Sequence, residues 1–221
     1  MQRPHRSLGL ARLIGIGLIV ALLVAMVLST KFLTPAEVAA VGPKKFDAKQ
    51  TAAELFKKAQ TDLPGQVEQL SEVLPAIQSD PKAAAAKFKA VSPADNAYVF
   101  FVTTTATVTQ ASPDSLRLKV PGLPAETPVL VPLSTAINGS VLRDAMGFKF
   151  ADAPGQTEYQ YVGDELKKLI QAQLKADLKD PAALTGKKVT VVGVVNVLDT
   201  GSPPPKAKPI NVQLVTVRAA S

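Results

Sequence analysis

The 221 residues contain no cysteine, no tryptophan and a single histidine. Without cysteine there is no disulfide, no zinc–thiolate site, no iron–sulfur cluster and no thiol nucleophile. His5 lies in the extreme N-terminal tail, so the rest of the chain has no histidine for a metal site or a histidine–carboxylate relay. Aromatic residues make up 5% of the chain, poor material for the stacking platforms of single-strand-binding folds and sugar clefts. A Gly-rich phosphate loop, a Gly-x-Ser-x-Gly elbow and an Asp-x-Asp-x-Asp-Gly calcium loop are also missing. Gly139-Ser140 has no histidine to activate its hydroxyl. The residues therefore lead us to expect no catalytic group, no metal and no cofactor, although a carboxylate pair such as Asp144 and Glu158 remains as material for acid–base work or Ca²⁺.

The chain is basic, with a net charge of +7 and a pI near 9.6, but the charge is uneven. Arg3, Arg6, Arg12 and Lys31 precede residue 32 with no acid among them, so +4 belongs to the tail and +3 to everything after it. Lys44-Lys45, Lys57-Lys58, Lys167-Lys168 and Lys187-Lys188 are scattered pairs, the pattern of solvated surface lysines rather than a nucleic-acid footprint. Nucleic acid is not an expected partner.

From Leu13 to Thr30 no residue is charged, and nearly all are Leu, Ile, Val, Ala, Met or Gly. With Leu8–Ala11 the run is long enough to cross a hydrocarbon core of about 30 Å. Basic residues cluster before it, so the positive-inside bias places the N-terminus in the cytoplasm and the chain after Lys31 outside. A cleaved signal peptide is the competing reading, but its apolar stretch is normally about 7–15 residues and ends at a small-x-small site. The best such site, Val38-Ala39-Ala40, lies beyond Pro35 and Glu37. An uncleaved single-pass anchor is the favoured expectation. An exported domain without disulfides then needs a proper hydrophobic core.

Three segments follow: 1–42 as tail and transmembrane anchor, 43–96 as a helical segment, 97–221 as a β-barrel domain. In the helical segment Phe46, Ala52, Leu55, Phe56 and Ala59 recur at helical spacing behind Asp47 as N-cap. A second helix starts at Pro64 with Val67, Leu70, Val73, Leu74 and Ile77. Asp80-Pro81 opens a third that ends near Val91, where Ser92-Pro93 closes it. Each helix has an apolar stripe, which favours a cap over the barrel rather than a free spacer. From Ala97 the period changes to two, giving strands near 97–109, 116–120 and 129–133. Ile137 to Gly155 reads as irregular. A helix runs from Val162 to Asp180-Pro181, and two strands, 189–198 and 210–216, flank the Pro203-Pro204-Pro205 loop. Gly193 sits mid-strand, where it permits a sharp bend. Three strands, a helix and two strands is the layout of an OB-like five-stranded barrel with a helix between strands three and four, in an α+β chain. An open α+β sheet is the alternative.

One stretch carries a resemblance. Val131-Pro132-Leu133 is followed by Asn138-Gly139-Ser140-Val141-Leu142-Arg143-Asp144-Ala145, Phe148 and Phe150, then by Gln156-Thr157-Glu158-Tyr159, Val162-Gly163 and Leu166. Over roughly Ala97 to Val217 this resembles a bacterial family of unknown function described as predicted periplasmic lipoproteins, in a Gly-x-x-Leu-Arg-Asp-Ala run, a Phe-rich segment and a Gln-x-Glu-Tyr run. The resemblance implies an extracytoplasmic location and, through neighbouring genes, a link to sugar ABC transporters of the ribose or xylose type. This chain departs from it in lacking the lipid-bearing cysteine and in having Gly155 where the family has Asn.

Arg143, Asp144, Gln156, Glu158 and Tyr159 are the candidate ligand- or partner-binding residues. Adjacent residues on a helix point about 100° apart, so Arg143 and Asp144 are not expected to pair face to face, and Glu158 becomes the expected partner of Arg143. Two readings stay open, a structural pin for the loop and a polar pocket for a sugar or protein. For the whole chain the expectations are a non-enzymatic accessory of a sugar ABC-transport system, partnered by a transporter component or sugar-binding protein, or a cell-envelope interaction module without a small ligand. A hydrolase is the third reading.

Overall fold

The structure, a computed structural model, describes residues 8–30, 34, 46–201 and 209–219, with side chains in the first stretch described from Ile14 onward. The chain divides into two compact units, Met1–Lys45 and Phe46–Ser221. Val38–Ala40 and the Pro203–Pro205 loop lie outside the described residues.

The first unit holds one helix, α1 (Leu8–Ser29). Its large apolar side chains from Ile14 to Leu28 are all more than half exposed. Among the described residues no helix is long and apolar enough to cross a membrane. What the described residues show is an apolar helix, and the single-pass span expected of it is not shown.

In the second unit α2 (Ala48–Asp62) starts where expected, because the Asp47 carboxylate accepts the backbone N–H groups of Lys49 and Gln50. The next helix, α3 (Leu70–Ser79), begins later than Pro64 suggests. Glu68–Gln69 is instead a short strand, β1, paired in parallel with β3 (Ala97–Ala111). Asp80 caps α4 (Pro81–Lys87) through the Ala83 N–H. Lys89 turns the chain with φ +50, and β2 (Val91–Ala94) runs back along β3. Ser92-Pro93 therefore sits in a strand at the edge of the sheet, where a missing N–H is tolerated. The expected all-helical segment contains two strands for this reason.

The remaining strands are β4 (Ser115–Lys119), β5 (Val129–Pro132), β6 (Lys188–Leu198), β7 (Ile210–Asn211) and β8 (Gln213–Ala219). They form one sheet in the order β7-β5-β4-β3-β6-β8, with β1 and β2 added along β3. There are eight strands among the described residues rather than the expected five. Two of the extra ones are β1 and β2. The third arises because the final strand breaks at Val212: β7 pairs in parallel with β5, and β8 pairs antiparallel with β6. Val212 still donates its N–H to the Leu130 carbonyl at 2.9 Å. Consecutive pieces thus hold the two ends of the strand order, and the sheet is nearly closed on itself. At Gly193 the β6–β8 register shifts, and an added Cβ would come 2.5 Å from the Gln213 carbonyl oxygen.

Two further helices complete the unit, α5 (Gly139–Ala145) and α6 (Gln156–Asp177). The first replaces part of the expected irregular stretch, and the second begins before Val162. Leu70, Leu74 and Ile77 of α3, Phe100 of β3, and Leu166 and Ile170 of α6 share one core with the barrel interior. Each such side chain contributes roughly 1.5–3 kcal/mol when buried, and this core holds the unit without disulfides. Lys167 and Gln171 tie α6 to the end of β5 by donating to the Thr135 and Ser134 carbonyls.

Candidate functional site

The site is built around α5. Its first turn is capped by Asn138, whose side chain accepts the Ser140 N–H at 3.0 Å. Asn138 in turn donates its own N–H to the side-chain oxygen of Gln213, a buried residue of β8. At the other end Gly147 has φ +76. Its N–H bonds the Asp144 carbonyl while Phe148 N–H bonds the Arg143 carbonyl, the paired bonds of a glycine-terminated helix. The cap swings Phe148 towards Tyr159 in the first turn of α6. The two helices touch backbone to backbone, and a Cβ at Gly139 would overlap the Gly163 carbonyl oxygen.

Arg143 lies at the centre and is 6% exposed. Its Nε and Nη2 both donate to Asp144 Oδ1, at 2.9 and 2.8 Å, and its Nη1 donates to the Tyr159 carbonyl at 3.0 Å. The guanidinium carbon stands 3.6 Å from the Tyr159 ring centroid, close enough for a cation–π contact. Tyr159 closes the group by donating its hydroxyl to Asp144 Oδ1 at 3.1 Å. Burial, then the charge of Asp144, raises the Tyr159 phenol above its ordinary pKa of 10.0, against the opposing effect of Arg143.

Three of the five expected residues therefore meet, and two do not. The expectation that Arg143 and Asp144 cannot pair is corrected. Their Cβ atoms do diverge, but the arginine stem is long enough to curl back onto its neighbour's carboxylate. Glu158 is not the arginine's partner. It occupies the first turn of α6, where its charge suits the helix N-terminus, and its carboxylate lies beside Gly155. Gln156, the first residue of that helix, is exposed.

The sequence reading left three aromatic residues out of the site. Phe148 stacks on Tyr159 with centroids 6.0 Å apart, Phe150 meets it edge-on at 5.6 Å, and Phe46 lies 6.4 Å from Phe148. Phe150 remains 57% exposed. Phe148 and Phe150 stood in the Phe-rich run, and the glycine between α5 and Phe148 was the available signal for a turn that delivers them.

Chemically, Asp144 Oδ1 accepts three hydrogen bonds from within the protein, so the cluster is committed to its own structure while its aromatic edge faces solvent. Among the described residues no group of three or more His, Asp or Glu could hold a metal. Two grooves lie elsewhere. One of about 350 Å³ is floored by Leu133, Leu174 and Leu178 with Lys175 and Lys179 beside them, and the other is polar, with Gln60, Asp177 and Arg218 among its lining residues. None of the five expected residues lines either groove.

Among solved structures, a crystal structure of an OB-fold protein from Thermotoga maritima is similar to this chain, with a TM-score of 0.66 and 21% identity, over 80% of this chain and 100% of that one. At that identity the likeness shows the fold, and it supports the OB-like reading of the barrel. No curated protein matches the chain. The family described as predicted periplasmic lipoprotein (DUF2291) matches residues 19–213, which include Arg143, Asp144, Tyr159 and the three aromatic residues around them. The chain belongs to this family of predicted periplasmic lipoproteins, whose function is unknown.

Proposed function

We propose that the chain is a non-enzymatic interaction module on the outer side of the cytoplasmic membrane, and that it recognises a protein partner through the aromatic surface around Tyr159. The observation that carries this reading is Phe150, which is 57% exposed yet seated edge-on against a ring held by Arg143 and Asp144. A solvent-facing aromatic seated on a buried polar base is the construction of a binding hot spot rather than of a catalytic centre. The resemblance to proteins encoded beside sugar transporters suggests a transporter component as the partner; the alternative is another envelope protein with no link to uptake. A photo-reactive phenylalanine analogue in place of Phe150 is expected to give a discrete adduct with one envelope protein in cells. Loss of the reading would follow if no adduct formed, or if the same adduct formed from Gln110 on the barrel.

The membrane reading belongs to the same proposal. The family is one of lipoproteins, yet these 221 residues contain no cysteine to acylate. We read Leu8–Ser29 as the substitute tether, taking in Leu8–Leu13 ahead of the described side chains. All 22 residues together would measure about 33 Å as a helix. A reporter enzyme active only outside the cytoplasm, fused after Ser221, is expected to be active on a chain that keeps its N-terminus. A mature chain beginning near Val41 would show a cleaved signal instead.

A further inference from the structure

The outer face of the barrel carries a charge pattern hidden by the scattered lysines of the sequence. Strands β3, β4, β6 and β8 contain Arg117, Lys119, Lys188 and Arg218, and no Asp or Glu. Strand register gathers three of these cations. Lys119 stands opposite Thr107, which stands opposite Lys188. Two residues along, Thr105, Thr190 and Arg218 form the next row. Alternate strand residues share a face, and the intervening Val108, Leu118, Val189 and Val217 are buried, so these rows point outward. Arg117 extends the patch beyond Lys119 on β4, and all four cations are exposed. Lys119 and Lys188 are two strand spacings apart, about 10 Å. None of the four takes part in an ion pair among the described residues. Threonine hydroxyls stand between them, those of Thr105 and Thr190 2.9 Å apart.

We propose that this face docks on the phosphate headgroups of an anionic phospholipid surface. Among the described residues none of its cations is tied up in an ion pair, although Asp177 lines the same groove as Arg218, and its interleaved hydroxyls are donors suited to phosphate oxygens. The two rows contain no aromatic residue, so the face offers no stacking platform for bases or sugar rings. An anionic lipid surface is the electrostatic complement of this basic face, and the lipoprotein family to which the chain belongs is associated with a membrane. This face is distinct from the Tyr159 surface, and the proposal stands whether or not that surface binds a protein.

The chain has no cysteine, so Thr107→Cys gives a single thiol for a fluorescent label at the centre of the face. The full-length labelled protein is placed on phosphatidylcholine vesicles with or without phosphatidylglycerol, each carrying a headgroup-bound quencher. The label at 107 is expected to be quenched on the anionic vesicles and released by high salt. A label at Thr61→Cys on α2 is expected to be unaffected. Lys119→Glu combined with Lys188→Glu should lower the docked-to-undocked ratio about a hundredfold, and its melting curve should match the parent because both positions are exposed. Equal quenching on neutral vesicles, or none on either, would overturn the proposal. So would the same label response to inorganic phosphate on neutral vesicles, which would make the face a site for free phosphate.

Discussion

Arg143→Ala is expected to lower the unfolding free energy of the protein by about 2–4 kcal/mol. For a unit of this size that is a fall in melting temperature of roughly 5–12 °C. The substitution removes two hydrogen bonds to Asp144, one to the Tyr159 carbonyl and the cation over the Tyr159 ring. It also leaves the Asp144 carboxylate, only 23% exposed, with the Tyr159 hydroxyl as its remaining partner. That residual exposure keeps the expected cost below the upper end for a fully buried pair. Arg143→Lys should recover part of the loss, since an ammonium restores the charge without the planar fork that serves Asp144 and the Tyr159 carbonyl together. Thermal melts of the three proteins check it. A melt of Arg143→Ala superimposed on the parent would rule out the pinning role.

Gly139→Ala is the second large effect, expected to cost about 3 kcal/mol or more. The added methyl would overlap the Gly163 carbonyl oxygen and approach the Lys167 nitrogen of α6. Both are backbone atoms inside a helix, so neither can rotate away. Gly163→Ala should cost less, because its methyl would meet the Ser140 hydroxyl oxygen at 2.6 Å and the Ser140 Cα only at 3.4 Å. Adding Ser140→Ala to Gly163→Ala should restore part of the stability, whereas the same addition to Gly139→Ala should not. Chemical denaturation of the four variants tests the pattern, and equal costs at the two glycines would contradict the backbone contact.

These two residues also show where the sequence could be read and where it could not. Barrel strands were legible because alternation over 97–109 has one physical cause, two unlike faces, and because the β-branched run over 189–198 suits a strand buried on both sides. Asp47 and Asp80 announced helix starts because a short acceptor before an apolar stripe has few other uses. The seven-residue α5 was read as irregular because its boundaries carry glycines, Gly139 within its first turn and Gly147 just after it. In fact Gly139 permits a close helix contact and Gly147 ends the helix. β1, two residues long, exists only through tertiary pairing with β3, and no local periodicity marks it; β7 was legible as the start of the 210–216 strand, but its break from β8 and its pairing with β5 were not. At the site, Arg143, Asp144 and Tyr159 were named from their pattern, but their partners were not. The Arg143–Asp144 bond depends on a side-chain path that spacing along a helix does not specify. Gln213 joined the site through strand register across the whole barrel, which no local motif records.

The division of labour proposed for the cluster, with Arg143 and Asp144 as base and Phe150 as contact, is tested most directly on Phe150→Ala. A photo-reactive group at the neighbouring exposed Lys149 would report the partner adduct in cells while a melt reports stability. Phe150 makes one edge-on contact and is largely solvent-exposed, so the melt should stay within about 3 °C of the parent while the adduct disappears. An adduct that persists in Phe150→Ala at parental yield would contradict the account.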